Sequence, residues 1–238
     1  MNGPALLVLS AALAYLAGSI PFGYLIGLTR GVDIRTVGSG NIGATNVFRT
    51  LGKKPGIFTF ALDVAKGVAA VAVIPQGVWF CAGAGAPPPG VLVACAAAVM
   101  LGHAFPVFLG FKGGKGVATG LGLAVGLVPH SALLGLAVWI AVFVATRYVS
   151  VGSVCAAATV AVAPWFLDRP PDGGAGWTAV CAAVSVLAAL VVVKHRSNLA
   201  RLARGTENRF CFTAKQLAER ERRRAERDRE AGGGAPAP

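Results

Sequence analysis

Between two long apolar stretches of the sequence lies GSGNIGATNVFRTLGKK, Gly38 to Lys54, which crowds glycines together with Ser39, Asn41, Thr45, Asn46 and Arg49. Glycine lets backbone amides approach a ligand closely, and the other five supply hydrogen-bond donors and a cation suited to an anion. The first six residues spell GxGxxG. A dinucleotide loop of that pattern needs a preceding strand and a βαβ unit, and here the preceding residues are a hydrophobic run without alternation, so that reading fails. Asn41, Thr45 and Arg49 recur at i, i+4 and i+8. A helix starting near Asn41 would put them on one face, with Ser39 just ahead of an N-terminus that favours an anion.

Two further segments carry similar chemistry. LGHAFPVFLGFKGGKGVAT, Leu101 to Thr119, contains the turn Lys112-Gly113-Gly114-Lys115-Gly116. Leu109 stands where a Walker A loop needs its first glycine, yet a glycine turn flanked by lysines and opening a helix can still wrap a phosphate with its amides. The alternative is a tight re-entry turn with lysines held on one side of a membrane. Thr119 adds a hydroxyl, and His103 lies near the end of an apolar run, where ionisable groups tend to be functional. KHRSNLARLARGTENRF, Lys194 to Phe210, places His195, Asn198 and Arg201 at i+3 steps, with Glu207 as its only acid. A carboxylate among so many arginines is expected to be ionised and structural. Asp63 and Lys66, at i, i+3 inside another apolar run, are expected either to form a mutual ion pair facing the bundle interior or to turn Lys66 toward the bound anion with Asp63 as its tether.

The elements that must position these groups follow from composition. Of 238 residues, 55% are hydrophobic and 13% charged, and the runs Gly3 to Thr29, Gly67 to Phe111, Gly116 to Thr146, Tyr148 to Leu167 and Gly173 to Val193 hold no Asp, Glu, Lys or Arg. Runs of about 20 apolar residues cross a bilayer as helices, which predicts an all-α polytopic membrane protein. The net charge of +12 does not imply a nucleic-acid partner, because Lys and Arg cluster in the segments that the positive-inside rule would place in the cytoplasm. With Leu6 to Leu28 running inward, Ile57 to Phe80 outward and Val91 to Leu109 inward, consistency requires Val117 to Thr146 to be two crossings broken at Pro129. The count is then about seven transmembrane helices, N-terminus outside and C-terminus cytoplasmic, with the three polar segments on one face. Residues 1–211 are expected to form the transmembrane domain and 212–238 a charged, disordered cytoplasmic tail. The five cysteines lack CxxC spacing and are expected to be packing residues; no metal and no cofactor is expected.

GSGNIGATNVFR, GHAFPVFLGFKGGKGVAT and HRSNLARLARGTE together resemble the three signature segments of the acyl-phosphate-dependent glycerol-3-phosphate acyltransferases, the PlsY family, in the same order and at similar separation. The resemblance implies an enzyme of the bacterial plasma membrane, active on the cytoplasmic face, that moves a fatty acyl group from acyl phosphate to the 1-hydroxyl of glycerol 3-phosphate, giving lysophosphatidic acid and phosphate. It places Ser39, Asn41, Arg49, His195 and Asn198 in the active site, the Gly113 to Gly116 turn at glycerol 3-phosphate, and Glu207 in a structural role. Membrane lipids and an acyl-phosphate-forming enzyme that hands over the donor are its implied partners. The residues agree with that chemistry: acyl phosphate carries its own leaving group, so the site must hold anions, orient a hydroxyl and polarise a carbonyl. Thr45, Asn46, Lys66, Lys112, Lys115, Thr119 and Arg201 are counted as substrate-binding. The base is left open among His103, His195 and the departing phosphate. A transporter of phosphate or a small phosphorylated metabolite is the alternative, although the internal repeat common in such folds is missing.

Overall fold

The computed structural model describes residues 2–170, 174 and 176–210; the tail expected at 212–238 lies outside the described residues. All regular elements among the described residues are helical. Helix α1 (Gly3–Ser19) starts from Asn2, whose side chain accepts the amide of Ala5 at 3.2 Å. It stops at Ile20, and α2 (Phe22–Leu28) resumes after Pro21. A single unbroken helix over Leu6 to Leu28 is therefore corrected to a broken one: proline lacks the donor that would continue α1 and disfavours helix at the residue before it. The Nζ of Lys66 takes over, donating to the carbonyl of Ile20 at 3.0 Å.

A polar loop leads to α3 (Ala44–Leu51), which packs on α2 and on α4 (Lys53–Val68). Five residues of π-helix, Ala69–Val73, join α4 to α5 (Ile74–Cys81). The cause lies just downstream: Pro75 has no N–H and its ring crowds the carbonyl four residues back, so the chain widens by one residue per turn there. Then come α6 (Pro89–Ala104), a short 3-10 turn at Val107–Leu109, α7 (Val117–Leu127), α8 (Pro129–Thr146), α9 (Val149–Val162), α10 (Pro164–Leu167), α11 (Trp177–Lys194) and α12 (Arg196–Ala203).

Six segments among the described residues are long and apolar enough to cross a membrane: Gly3–Leu28, Lys53–Cys81, Pro89–Leu109, Pro129–Thr146, Val149–Leu167 and Trp177–Lys194. The break at Pro129 is present, but the helix before it, α7, has only 11 residues. At 1.5 Å per residue it reaches about 16 Å, roughly half of a hydrocarbon core. Large apolar side chains such as Leu133, Val144 and Phe166 lie exposed along these segments, as lipid-facing surfaces require.

Close backbone approach holds the bundle together. A Cβ at Gly18 in α1 would come within 2.9 Å of Val99 Cα in α6, and one at Gly122 in α7 within 3.0 Å of Val68 N in α4. Only glycine admits these crossings, the membrane form of helix packing on small residues. Val91, Cys95, Val99 and Met100 of α6 fill the centre against Leu6, Ala14, Leu123 and Val191. Cys95 and Cys181 are buried as small apolar residues, Cys155 is half-buried and Cys81 exposed. At the end away from the polar segments, Asp168 caps α8 by accepting the amides of His130 at 2.8 Å and Ser131 at 3.0 Å.

Candidate active site

The polar residues converge at one end of the bundle, where α2, α6 and α11 finish and α4, α7 and α9 begin. The loop before α3 is shaped by Asn46. Its Oδ1 accepts the Ser39 amide at 2.9 Å, and its Nδ2 donates to the carbonyls of Ile34 at 3.0 Å and Val37 at 3.1 Å. Gly38 sits beside it at φ +62, a left-handed conformation open to glycine. Asn46, counted above with the substrate-binding set, thus spends these bonds on the loop backbone. The loop also delays the helix: α3 starts at Ala44 after Gly43. The expected helix start at Asn41, with Ser39 just before it, is corrected accordingly, and Asn41 Oδ1 instead accepts the Gly43 amide at 2.8 Å. Ser39 is exposed on the loop, while Thr45 and Arg49 project from α3, half-buried.

Beneath the glycine turn lies a buried polar stack. Lys66 Nζ pairs with Asp63 Oδ1 at 2.7 Å, as their spacing predicts, both side chains 4% exposed. His103 Nδ1 lies 3.2 Å from Thr119 Oγ1 and 3.8 Å from the same Asp63 oxygen. The other edge of the imidazole lies directly under Gly114, whose amide donates to the His103 carbonyl at 3.0 Å; a Cβ at Gly114 would collide with the ring. His103 is thus the floor of the Lys112 to Gly116 turn. Gly116 takes φ +80 to launch α7, and Lys112 stays exposed.

Above the turn, the third segment closes the site. Lys115 donates to Asn198 Oδ1. The Nδ2 of Asn198 donates to Glu207 at 2.7 Å, and the same carboxylate receives Ser150 Oγ at 2.9 Å and Arg201 Nε at 2.8 Å. Burial pushes the Glu207 carboxyl up, but the three donors and the Arg201 charge outweigh it and hold the group below its ordinary value. Arg49 Nη2 donates to the carbonyl of Asn208 at 3.2 Å. His195 is buried and its Nδ1 lies 2.8 Å from the Val191 carbonyl. A carbonyl only accepts, so Nδ1 carries the proton and Nε2 a lone pair. Burial keeps this imidazole below its usual value, the Val191 bond partly opposing and Lys115 reinforcing the shift, so it stays neutral and able to take a proton near pH 7.

Sequence reading missed Ser150, a serine in an apolar run, and the Asn208 carbonyl, a backbone group with no residue-type signature. It also missed Lys194, which donates to the Ala104 carbonyl at 3.1 Å and sits over the Phe105 ring.

Lys115 feels the charges of Glu207, Arg201 and Arg49, so three cations and one carboxylate share a neighbourhood. Burial, only partly offset by Glu207, lowers its pKa to about 8. The sign of the resulting pH dependence is fixed: Lys115 is charged below that value and neutral above it. Binding of a phosphate monoester beside Lys115 should be flat below pH 8 and weaken by up to about tenfold per unit above it, since each pKa unit is worth about 1.4 kcal/mol. Calorimetric titration between roughly pH 7 and 9.5, where a phosphate ester holds a constant charge, checks this. In Lys115→Arg, whose guanidinium stays charged, the curve should be flat; a flat curve in the unaltered protein would remove Lys115 from the anion site.

A multi-pass membrane protein whose cations, amides and one neutral histidine meet at a bundle end is built to handle anions at a membrane surface. A family model described as Glycerol-3-phosphate acyltransferase matches residues 8–205, and the chain belongs to that family. It is an integral membrane acyltransferase. A Glycerol-3-phosphate acyltransferase of Geobacter sulfurreducens is 46% identical over 199 residues, covering 84% of this chain and 95% of the relative. Two crystal structures of PlsY, an integral membrane glycerol 3-phosphate acyltransferase, are similar throughout. The glycerol 3-phosphate form has a TM-score of 0.73 at 40% identity, covering 86% of this chain and 96% of that one. The lysophosphatidic acid form has a TM-score of 0.72 at 39% identity, covering 89% and 96%. The transporter alternative falls with this finding.

Proposed function

We propose that the enzyme transfers a fatty acyl group from acyl phosphate to the 1-hydroxyl of sn-glycerol 3-phosphate, giving lysophosphatidic acid and inorganic phosphate, at the cytoplasmic face of the bacterial plasma membrane. The observation that carries this reading is the convergence of Arg49, Lys115 and Arg201 with Asn198 and His195 beside a glycine turn. Both substrates are phosphate-bearing anions, and that cluster supplies cations and amides enough for two. Arg49 and the amides and side chains of the Ser39 to Asn41 loop hold the phosphate that leaves. The Gly113 to Gly116 turn, Lys115 and Arg201 hold glycerol 3-phosphate. Thr45 and Lys112 line the approach.

The hydroxyl oxygen attacks the acyl carbonyl, the bond from that carbon to the phosphate oxygen breaks, and the hydroxyl proton passes to His195 Nε2 or to the departing phosphate. The cations and Asn198 stabilise the charge that develops on the carbonyl oxygen and the phosphate. His103, under the glycine turn, is assigned to shaping that turn together with Thr119, Asp63 and Lys66. Topologically, α7 serves as a seventh, short crossing with local thinning of the bilayer. The N-terminus then lies outside and every basic segment in the cytoplasm, where soluble glycerol 3-phosphate meets a lipid-borne donor handed over by the enzyme that forms it.

Donor choice tests the reading. Purified protein in detergent should form lysophosphatidic acid from glycerol 3-phosphate and acyl phosphate, and not from acyl-CoA, because the sequence lacks the HxxxxD pattern of acyl-CoA-dependent acyltransferases. Comparable rates with both donors would contradict it.

A further inference from the structure

Beyond α12 the chain turns at Gly205 and crosses the site end of the bundle as residues 207–210, which together grip α3, α9, α12 and the end of α8. Glu207 takes donors from α9 and α12. The Asn208 carbonyl takes the Arg49 guanidinium from α3. Arg209 Nε donates to the Thr146 carbonyl at the end of α8 at 3.3 Å. The Phe210 amide donates to the Arg147 carbonyl at 2.8 Å. Its ring lies 5.3 Å from Phe48 of α3 and 5.4 Å from Phe143 of α8, edge-on to the latter, and Phe143 in turn stacks on Trp139 at 4.9 Å. Such separations and tilts are those of favourable aromatic pairs.

Phe48 immediately precedes Arg49, and Asn208 lies two residues before Phe210. One strap therefore fixes both ends of the same arginine: the ring of Phe210 holds the backbone of α3 through Phe48, and the carbonyl of Asn208 holds the guanidinium. α3 itself packs on α2 and α4, so the Phe48–Phe210–Phe143 contact ties it to α8 on the other side of the site.

We propose that Phe210 is a positioning residue for acyl transfer: seated between Phe48 and Phe143, it sets the Arg49 guanidinium against Lys115, Asn198 and Arg201. The proposal rests on the reading of Arg49 as an anion holder. Removing the ring slackens α3 and the strap together, and a misplacement of about 1 Å costs up to a hundredfold in rate.

A double-mutant cycle on turnover per folded molecule tests it. Phe210→Ala should lower kcat/KM by about tenfold, and Phe210→Tyr, which keeps the ring, should restore it to within about twofold. If Phe210 acts through Arg49, adding Phe210→Ala to Arg49→Lys should cost less than about twofold more, because the two changes remove one shared interaction. A full, independent tenfold loss on the Arg49→Lys background, or unchanged turnover in Phe210→Ala, overturns the proposal. Should Phe210→Ala fail to fold, Phe143→Leu loosens the same ring from the α8 side and enters the cycle in its place, with the same two outcomes. The cycle uses whichever donor the unaltered protein accepts. Failure of acyl phosphate to support transfer overturns the donor reading, while the coupling between Phe210 and Arg49 is still measured with acyl-CoA.

Discussion

Arg49→Lys is expected to lower turnover by about a hundredfold while the protein remains folded and inserted, the magnitude seen on losing one well-placed electrostatic donor. Lysine keeps the charge but loses the planar fork. In this structure Arg49 Nη2 donates to the Asn208 carbonyl at 3.2 Å, so a backbone contact fixes the direction of the planar guanidinium. An ammonium reaching for the same carbonyl would have no second arm fixed in direction. Turnover normalised to the folded fraction, measured beside a melting curve, checks the expectation; near-normal turnover would take Arg49 out of the transfer step.

Glu207→Gln should do the opposite, lowering stability while sparing chemistry. The carboxylate, 4% exposed, accepts three side chains from α9 and α12, and an amide can accept on one atom only. Arg201 is one-third exposed, so solvent screens the pair and losing the charged hydrogen bonds costs about 2 kcal/mol, a fall of roughly 6 °C in melting temperature for a chain of this size. The pH behaviour has a definite sign. A carboxyl held below its ordinary value gives its full stabilisation above that value and loses it as pH falls through the lowered one, so the deficit of Glu207→Gln should shrink in acid. The surviving folded molecules should turn over within a few-fold of normal, and a stable but inactive variant would move Glu207 into the chemistry.

The contrast between these two residues shows what the sequence can carry. Helix spacing made the Asp63–Lys66 pair readable, and the proline rule located the break at Pro129. The same rule applies at Pro21, but there it is masked by an unbroken apolar run on both sides. The start of α3 was misread because Asn46, a residue inside the helix, organises the loop before it, and a side chain bonded to carbonyls 9 and 12 residues upstream leaves no periodic trace. Contacts between a late strap and an early helix, such as Arg49 with Asn208 across 159 residues, depend on backbone carbonyls that every residue possesses. Residue types and spacing therefore single out groups suited to anions, while the packing around them is set only in three dimensions.

The central claim is that one cationic cradle holds donor and acceptor together and passes the acyl group directly between them. Mixing enzyme with acyl phosphate alone, then with glycerol 3-phosphate, and following phosphate release and intact protein mass tests this most directly. Direct transfer predicts no phosphate burst and no added mass before the acceptor arrives, and one phosphate per lysophosphatidic acid afterwards. A burst equal to the enzyme, with the protein heavier by one acyl group, would show a covalent acyl-enzyme and contradict the account.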